Sequence, residues 1–228
     1  MLSAINKEML TTVARGLGHL LPDMVFVGGA IPELYIPEGV QVAEVRQTDD
    51  VDLIIEIVGR KEFAELEQEL RDLKFEHEKK LICRWLYKDI IVDVMPTDEK
   101  ILGFANQWYK KGIPNAITYQ LEEGLLINIL PLPYFIACKL EALFDRGMKD
   151  LRLSKDLEDI VFLLNYIEEL PEEIAGCETE LKEFIQDRFA TLTKHAELNE
   201  AIFCVLPSGE NDTANLRRNK LIMMQVIL

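Results

Sequence analysis

The sequence predicts an α+β protein, a mixed β-sheet flanked by helices and followed by a helical C-terminal lobe. Three observations carry that expectation. Short β-branched runs bounded by turn residues recur up to about residue 130. One of them, Met24–Val27, ends in Gly28-Gly29-Ala30 and opens a short helix or coil, a strand-to-helix junction. From Pro133 onward the apolar residues fall instead at helical spacing. The change of lobe is placed near residue 130, which gives a core over 1–130 and a helical lobe over 131–228.

Taken in order, Ile5 to Leu21 carries Ile5, Met9, Leu10, Val13, Leu17 and Leu20 on one face, an amphipathic helix that Pro22-Asp23 ends. The strand Met24–Val27 follows, then the Gly28-Gly29 turn and a short helix or coil to Tyr35, and Ile36-Pro37-Glu38-Gly39 is loop chemistry. Val51–Ile57 reads as the second strand and Gly59 to Leu73 as a helix, with Phe63, Leu66, Leu70 and Leu73 on its buried stripe. Leu81–Tyr87 and Ile90–Met95 are two strands joined at Lys88-Asp89 by a two-residue hairpin, which sets Asp93 beside the Asp50/Asp52 strand. Phe104 to Lys111 reads as a short helix, and Asn115–Leu121 with Leu125–Leu130 as two more strands around Glu122-Glu123-Gly124. Helices are then expected over Tyr134–Asp145, over Ser154–Ile167 with Ser154 as N-cap, and over Glu178–Leu192, His195–Cys204 and Thr213–Ile227, with Pro207-Ser208-Gly209 between the last two.

A chain of 228 residues can bury one large core or two small ones. No run approaches the roughly 18 apolar residues of a membrane span, and the N-terminus lacks the basic-then-apolar pattern of a secretory signal, so a cytoplasmic protein with no membrane partner is expected. Cys83, Cys138, Cys177 and Cys204 show no metal or disulfide spacing and are expected to be reduced, mostly buried small hydrophobes. The formal charge of −15 argues against extensive duplex DNA binding, which needs clustered Lys and Arg. It leaves room for a nucleotide-sized or RNA-end substrate, because bound metal ions bring positive charge to the phosphates.

The chemistry is concentrated in Arg46-Gln47-Thr48-Asp49-Asp50-Val51-Asp52. Side chains alternate along a strand, so Asp50 and Asp52 point the same way and repel unless a cation or a shared proton neutralises them. Mg²⁺, a hard ion held by carboxylates and substrate phosphates, is the expected neutraliser. Asp49 could by eye be the first carboxylate, but alternation selects Asp50. Asp93, in the middle of an apolar strand, is costly unless paired, and with Asp50 and Asp52 it completes a three-carboxylate metal site; the alternative is an acidic strand entry plus a paired structural Asp93. Thr48 shares the face of Asp50 and could donate to a phosphate or hold a carboxylate. Arg46 could reach a nucleotide or lie on the surface, and Gly28 and Gly29 could let backbone N–H groups approach phosphate oxygens. Arg146, Lys149, Arg152 and Lys155 could form a basic edge if helical, or a solvated loop. His19, His77 and His195 have no metal spacing, Trp85, Trp108 and Tyr109 read as core before base-stacking, and Glu168–Glu183 reads as a solvated face.

Gly-Gly after a strand, Asp-x-Asp on the next strand and a lone Asp on a later one resemble the polymerase-β-like nucleotidyltransferase superfamily. Within it, Arg46-x-Thr48-x-Asp50-x-Asp52, Lys139-Leu140-x-Ala142 and Lys155-Asp156-x-x-Asp159-Ile160 look most like the AbiEii/AbiGii nucleotidyltransferase group, over about Val25 to Leu164. The resemblance implies a nucleotidyltransferase core over 1–130 and Mg²⁺-dependent transfer of a nucleoside monophosphate from an NTP, with two ions at Asp50, Asp52 and Asp93. It further implies that Lys139 counters triphosphate charge, with a snorkelling surface lysine as the alternative reading, and that Asp159 positions Lys139 or the acceptor. Asp156 would be a weaker copy or a helix-N-terminal charge. An RNA end, a protein residue or a small-molecule hydroxyl would be the acceptor. Toxin activity and an antitoxin partner belong to the same group. The contrasting expectation is a catalytically silent protein that keeps the fold as a binding module.

Overall fold

The computed structural model describes residues 3–42, 45–57, 59–103, 105–206 and 212–228. The chain divides into two compact units, Met1–Leu34 with Val45–Pro131 and Tyr35–Glu44 with Leu132–Leu228.

In the first unit, helix α1 (Ala4–Leu17) precedes strand β1 (Val25–Val27) and strand β2 (Asp50–Ile55), and α2 (Arg60–Asp72) leads to β3 (Glu76–His77), β4 (Arg84–Tyr87) and β5 (Ile90–Pro96). Two short helices, α3 (Glu99–Leu102) and α4 (Gln107–Gly112), precede the hairpin β6 (Ile117–Glu122) and β7 (Leu125–Ile129). The seven strands form one mixed sheet in the order β3-β4-β5-β2-β1-β7-β6. β2 pairs parallel with β5, β1 pairs parallel with β7, and the remaining neighbours are antiparallel.

Alternation divides the central strands between two environments. Val51, Leu53, Val92, Val94 and Trp85 are fully buried on one side. Each such side chain contributes on the order of 1.5–3 kcal/mol by leaving water. Helix α1 covers this side with Leu10, Val13 and Leu17, and it approaches so closely that a β-carbon at Gly16 would lie 2.5 Å from the Tyr87 ring. Asp50, Asp52, Asp93 and Arg84 occupy the alternate positions and therefore the other face.

The β4–β5 hairpin closes in two residues as expected, and Lys88 and Asp89 both adopt positive φ (47° and 65°). Two successive left-handed residues make the type I′ turn that matches strand twist, and the turn fixes the register from Tyr87↔Ile90 back to Arg84↔Asp93.

In the second unit, α5 (Leu132–Ala142) is buried from Leu132 to Leu140, a central helix rather than an amphipathic one. It runs into a π-turn at Leu143–Gly147. Against it pack α6 (Lys155–Tyr166), α7 (Leu170–Ala175) and α8 (Thr179–Leu192), and α9 (Leu198–Val205) and α10 (Asp212–Ile227) pack on α6 and on each other. Ser154 caps α6 as expected, its Oγ accepting from the Leu157 amide at 3.3 Å.

Several expectations are corrected. The first helix ends at Leu17 rather than Leu21, because Gly18 turns to φ 53° and the chain continues as a 3₁₀ turn through Pro22. The helix expected over Phe104 to Lys111 begins at Gln107, capped by the Asn106 side chain, and Phe104 lies outside the described residues. The Pro207-Ser208-Gly209 break also lies outside them. The Glu168–Glu183 stretch is not only a solvated face, since it holds α7 with Leu170 and Ile174 buried. Of the cysteines only Cys138 is buried, and Cys204 is exposed. Trp85 and Trp108 are core residues, at 0% and 1% exposure. No helix among the described residues is long and apolar enough to cross a membrane.

Candidate functional site

Across four strands of the first unit, register sets one row of residues side by side. Val27 of β1 lies opposite Asp52 of β2, Asp52 opposite Asp93 of β5, and Asp93 opposite Arg84 of β4. Directly opposed residues share a face, and alternation adds Asp50 to that of Asp52. The ligand oxygens of Asp50, Asp52 and Asp93 all lie within 4.8 Å of one another. Among the described residues this is the one cluster of three or more acidic, His or Cys side chains close enough to hold a metal ion. Asp93 is buried, Asp50 and Asp52 are half-buried, and Asp49, which precedes β2, is exposed.

Three negative charges at this separation repel by on the order of a few kcal/mol per pair. The protein offsets part of that locally. Thr48 Oγ1 donates to Asp50 Oδ1 at 2.6 Å, and Arg84 grips Asp93 with two N–H groups, Nε to Oδ1 at 2.9 Å and Nη2 to Oδ2 at 2.7 Å. That hydrogen-bonded carboxylate holds the Arg84 guanidinium above its already high ordinary pKa. Asn6, buried on α1, fixes the approach to β2: its amide donates to the Arg46 carbonyl at 3.2 Å and accepts from the Thr48 backbone N–H at 3.4 Å.

The glycines take part in a way that sequence does not reveal. Gly28 sits at φ 76°, and a β-carbon there would overlap the Asp52 carboxylate. At Gly29 it would overlap the Arg46 guanidinium. The space left by both missing side chains is therefore filled by the chain's own Asp52 and Arg46, which lie directly against the β1 turn.

The donor set is entirely oxygen, mounted on hydrogen-bonded strands, and Asp50 and Asp52 retain access to solvent. Those features fit a hard divalent cation, which takes carboxylate oxygens and keeps positions for water or phosphate. A cleft of about 500 Å³ opens at the opposite ends of β2 and β5, among Glu56, Thr97, Asp98, Lys100, Asn106 and Lys110. Its charges are of both signs, and it does not include the three carboxylates.

Lys139 and Asp159 belong to the second unit and meet there. Lys139 Nζ lies 2.6 Å from Asp159 Oδ2, 3.5 Å from Asp156 Oδ1 and 5.4 Å from the centre of the Phe135 ring. Exposure is 9% for Lys139, 4% for Asp156 and 3% for Asp159. The reading of Lys139 as a snorkelling surface lysine is thus corrected, because burial in a helix core requires the paired carboxylates. Asp156 is likewise more than a helix-N-terminal charge, since Arg146 also grips it through Nε and Nη2 at 3.0 and 3.1 Å. The four basic residues from Arg146 to Lys155 do not form one helical edge: Arg146 lies in the π-turn, Arg152 in a 3₁₀ turn bonded to Asp150 and Glu200, and Lys155 at the start of α6.

Sequence reasoning missed Arg84 and Asn6. Arg84 was within reach, because counting back from a two-residue turn at Lys88-Asp89 pairs it with Asp93. Asn6 was not, because its partners lie about 40 residues away in the chain.

No protein-family model and no curated protein matches this sequence. Solved structures match its fold, two of them from Helicobacter pylori. One, from Helicobacter pylori and provisionally named a nucleotidyltransferase, is 13% identical with a TM-score of 0.52, over 97% of this chain and 93% of its own. The other, JHP933 from Helicobacter pylori, is 12% identical with a TM-score of 0.50, over 100% of this chain and 94% of its own. At such identities the likeness is one of fold, and the fold is that of a nucleotidyltransferase-type mixed sheet with flanking helices.

Proposed function

We propose that this protein is a Mg²⁺-dependent nucleotidyltransferase that moves a nucleoside monophosphate from an NTP to an acceptor hydroxyl. The observation that carries the proposal is the convergence of Asp50, Asp52 and Asp93 within 4.8 Å on one face of a sheet of this fold. In the reaction an acceptor oxygen bonds to the α-phosphorus, the bond between the α- and β-phosphates breaks, and pyrophosphate leaves with that electron pair. Asp50, Asp52 and Asp93 would hold Mg²⁺, and Asp93 would orient the acceptor hydroxyl or take its proton. The bound metal would supply charge stabilisation to the attacking and leaving oxygens. Thr48 fixes Asp50 through its 2.6 Å hydrogen bond, and Arg46 with the Gly28-Gly29 turn forms the phosphate side.

The motifs around Asp50, Lys139 and Asp159 support placement near the AbiEii/AbiGii group, with an RNA end, a protein residue or a small-molecule hydroxyl as acceptor. A toxin role opposed by an antitoxin protein follows from the same grouping. The net charge of −15 favours a small acceptor or a single RNA end over a long duplex.

One observation favours a second reading, a catalytically silent protein that keeps the fold as a binding module. Both oxygens of Asp93 are engaged by Arg84, as they would be in a purely structural ion pair. Incubation with Mg²⁺ and each α-labelled NTP, alongside total RNA, protein and metabolite pools, separates the two. The enzyme transfers label to one of these pools and Asp52→Asn does not. A wild-type protein that transfers no label and gains no thermal stability from any NTP with any divalent cation is the binding module.

A further inference from the structure

Arg84 and Asp93 form a two-pronged pairing at the site: two N–H groups meet two carboxylate oxygens at 2.9 and 2.7 Å, from residues directly opposed on β4 and β5. The side chains are 27% and 13% exposed, so water screens the contact only partly. A second acid is nearby, with Glu78 Oε2 4.0 Å from Arg84 Nε, one of the two nitrogens that hold Asp93. Arg84 therefore has one carboxylate of the cluster and one outside it within reach.

A carboxylate has about four lone-pair positions, and Arg84 uses two of those on Asp93. The others leave Asp93 able to join Asp50 and Asp52 around a cation. The cation then binds with a fixed positive charge on one of its ligands. Two effects oppose each other. The fork holds the Asp93 carboxylate plane in one orientation, which helps a cation that needs its ligands in place; the guanidinium charge repels that cation and draws electron density from its ligand. Asp93 is buried on a central strand, so for metal affinity the benefit of holding its one side chain is small, whereas turnover, which depends on sub-ångström placement, still needs the fork. The repulsion between the guanidinium and a divalent ion a few ångströms away is the larger effect.

We propose that Arg84 is a positioning residue for Asp93 that stands in for the cation when none is bound and competes with it as it binds. It keeps the three carboxylates converged without metal, weakens metal binding so that the site fills when metal arrives with nucleotide, and passes toward Glu78 as the cation takes Asp93. The inference rests on the metal-binding reading of the three carboxylates.

The test is Mn²⁺ binding without nucleotide, by calorimetry, to the full-length wild type, Arg84→Gln and Arg84→Lys, with circular dichroism to confirm folding and NTP turnover as a second readout. Arg84→Gln is expected to bind Mn²⁺ about tenfold more tightly than wild type while turning over at least tenfold more slowly, because Asp93 has lost its orientation. Arg84→Lys keeps the charge but not the fork, so its Mn²⁺ affinity stays within about threefold of wild type while turnover falls. A purely structural role would lower affinity and stability together and could not tighten metal binding. Unchanged or weaker Mn²⁺ binding by folded Arg84→Gln overturns the inference. Should Arg84→Gln not fold, Arg84→Lys decides: full turnover at wild-type Mn²⁺ affinity overturns it, and reduced turnover at unchanged affinity supports it. A wild type that binds no divalent cation at all overturns instead the metal reading on which this rests.

Discussion

In the sheet unit three carboxylates, Asp50, Asp52 and Asp93, crowd within 4.8 Å with Arg84 at their edge. In the helical unit two carboxylates, Asp156 and Asp159, share a buried lysine and one of them takes an arginine as well. Both clusters combine Asp with a cationic partner, yet their charge balance differs. The helical cluster is matched charge for charge within the fold. The sheet cluster sets three carboxylates against Arg84, with Arg46 packed on the neighbouring Gly29, and keeps an excess of negative charge on half-open strand positions. Burial of charge is tolerated in the first case by internal pairing, and an incomplete charge set marks the second as a place for ligand.

The contrast breaks most visibly at Asp52. Asp52→Asn should lower transfer by on the order of 10³-fold or more in a labelled-NTP assay, because the ligand between Asp50 and Asp93 is lost, and it should not lower the melting temperature of the metal-free protein. Retained turnover would move the chemistry elsewhere. Lys139→Met should have the opposite character. It leaves Asp159 and part of Asp156 buried without their cation and should cost about 3–5 kcal/mol in urea unfolding, by the same amount with and without Mg²⁺. A cost near zero would mean the cluster is wetter than its exposures of 3–9% indicate.

Smaller effects sharpen the same comparison. Asp50→Asn removes one repelling charge and should stabilise the metal-free protein by about 1 kcal/mol, a gain that turns into a loss once Mg²⁺ is present; destabilisation without metal would show that the three acids are already balanced. Glu33 is the control, a single buried carboxyl whose Oε1 has no hydrogen-bond partner among the described residues. Burial raises its pKa, the Ser3 amide opposing weakly. A raised folded-state value means the folded protein binds the proton more tightly than the unfolded chain, so this contribution is present at low pH and fades as pH rises through and above the ordinary carboxylate range. Glu33→Gln should therefore gain stability relative to wild type as pH is raised from about 4.5 to 7 in urea titrations, and parallel pH profiles would remove Glu33 as a titrating group.

Much of this contrast could be read in the chain, for physical reasons that differ by element. Strands β1, β2 and β5 announce themselves through β-branched runs, and the side-chain period of two assigns Asp50 and Asp52 to one face without any tertiary information. The Lys88-Asp89 turn even fixes Asp93 in register with Arg84, although that step needs residues to be counted across the hairpin. Other parts were opaque. β3 is two residues long and α7 six, too short for periodicity, and α7 is hidden among glutamates. The Asn6 clamp on Arg46 and Thr48 joins segments 40 and 42 residues apart and has no local signal. Gly28 and Gly29 were expected to let backbone N–H groups approach phosphate oxygens; that their missing β-carbons also leave space for Asp52 and Arg46 is a close approach that only packing can reveal.

The central claim is that Asp50, Asp52 and Asp93 converge on a divalent cation. The most direct test is the anomalous scattering of crystals grown with Mn²⁺ and a non-hydrolysable NTP analogue. The account predicts a peak in contact with oxygens of all three carboxylates, at the roughly 2.0–2.3 Å of a small hard cation, with the analogue's phosphates on its far side. Well-ordered analogue with no peak among these carboxylates, or with the metal bound at another place, would contradict it.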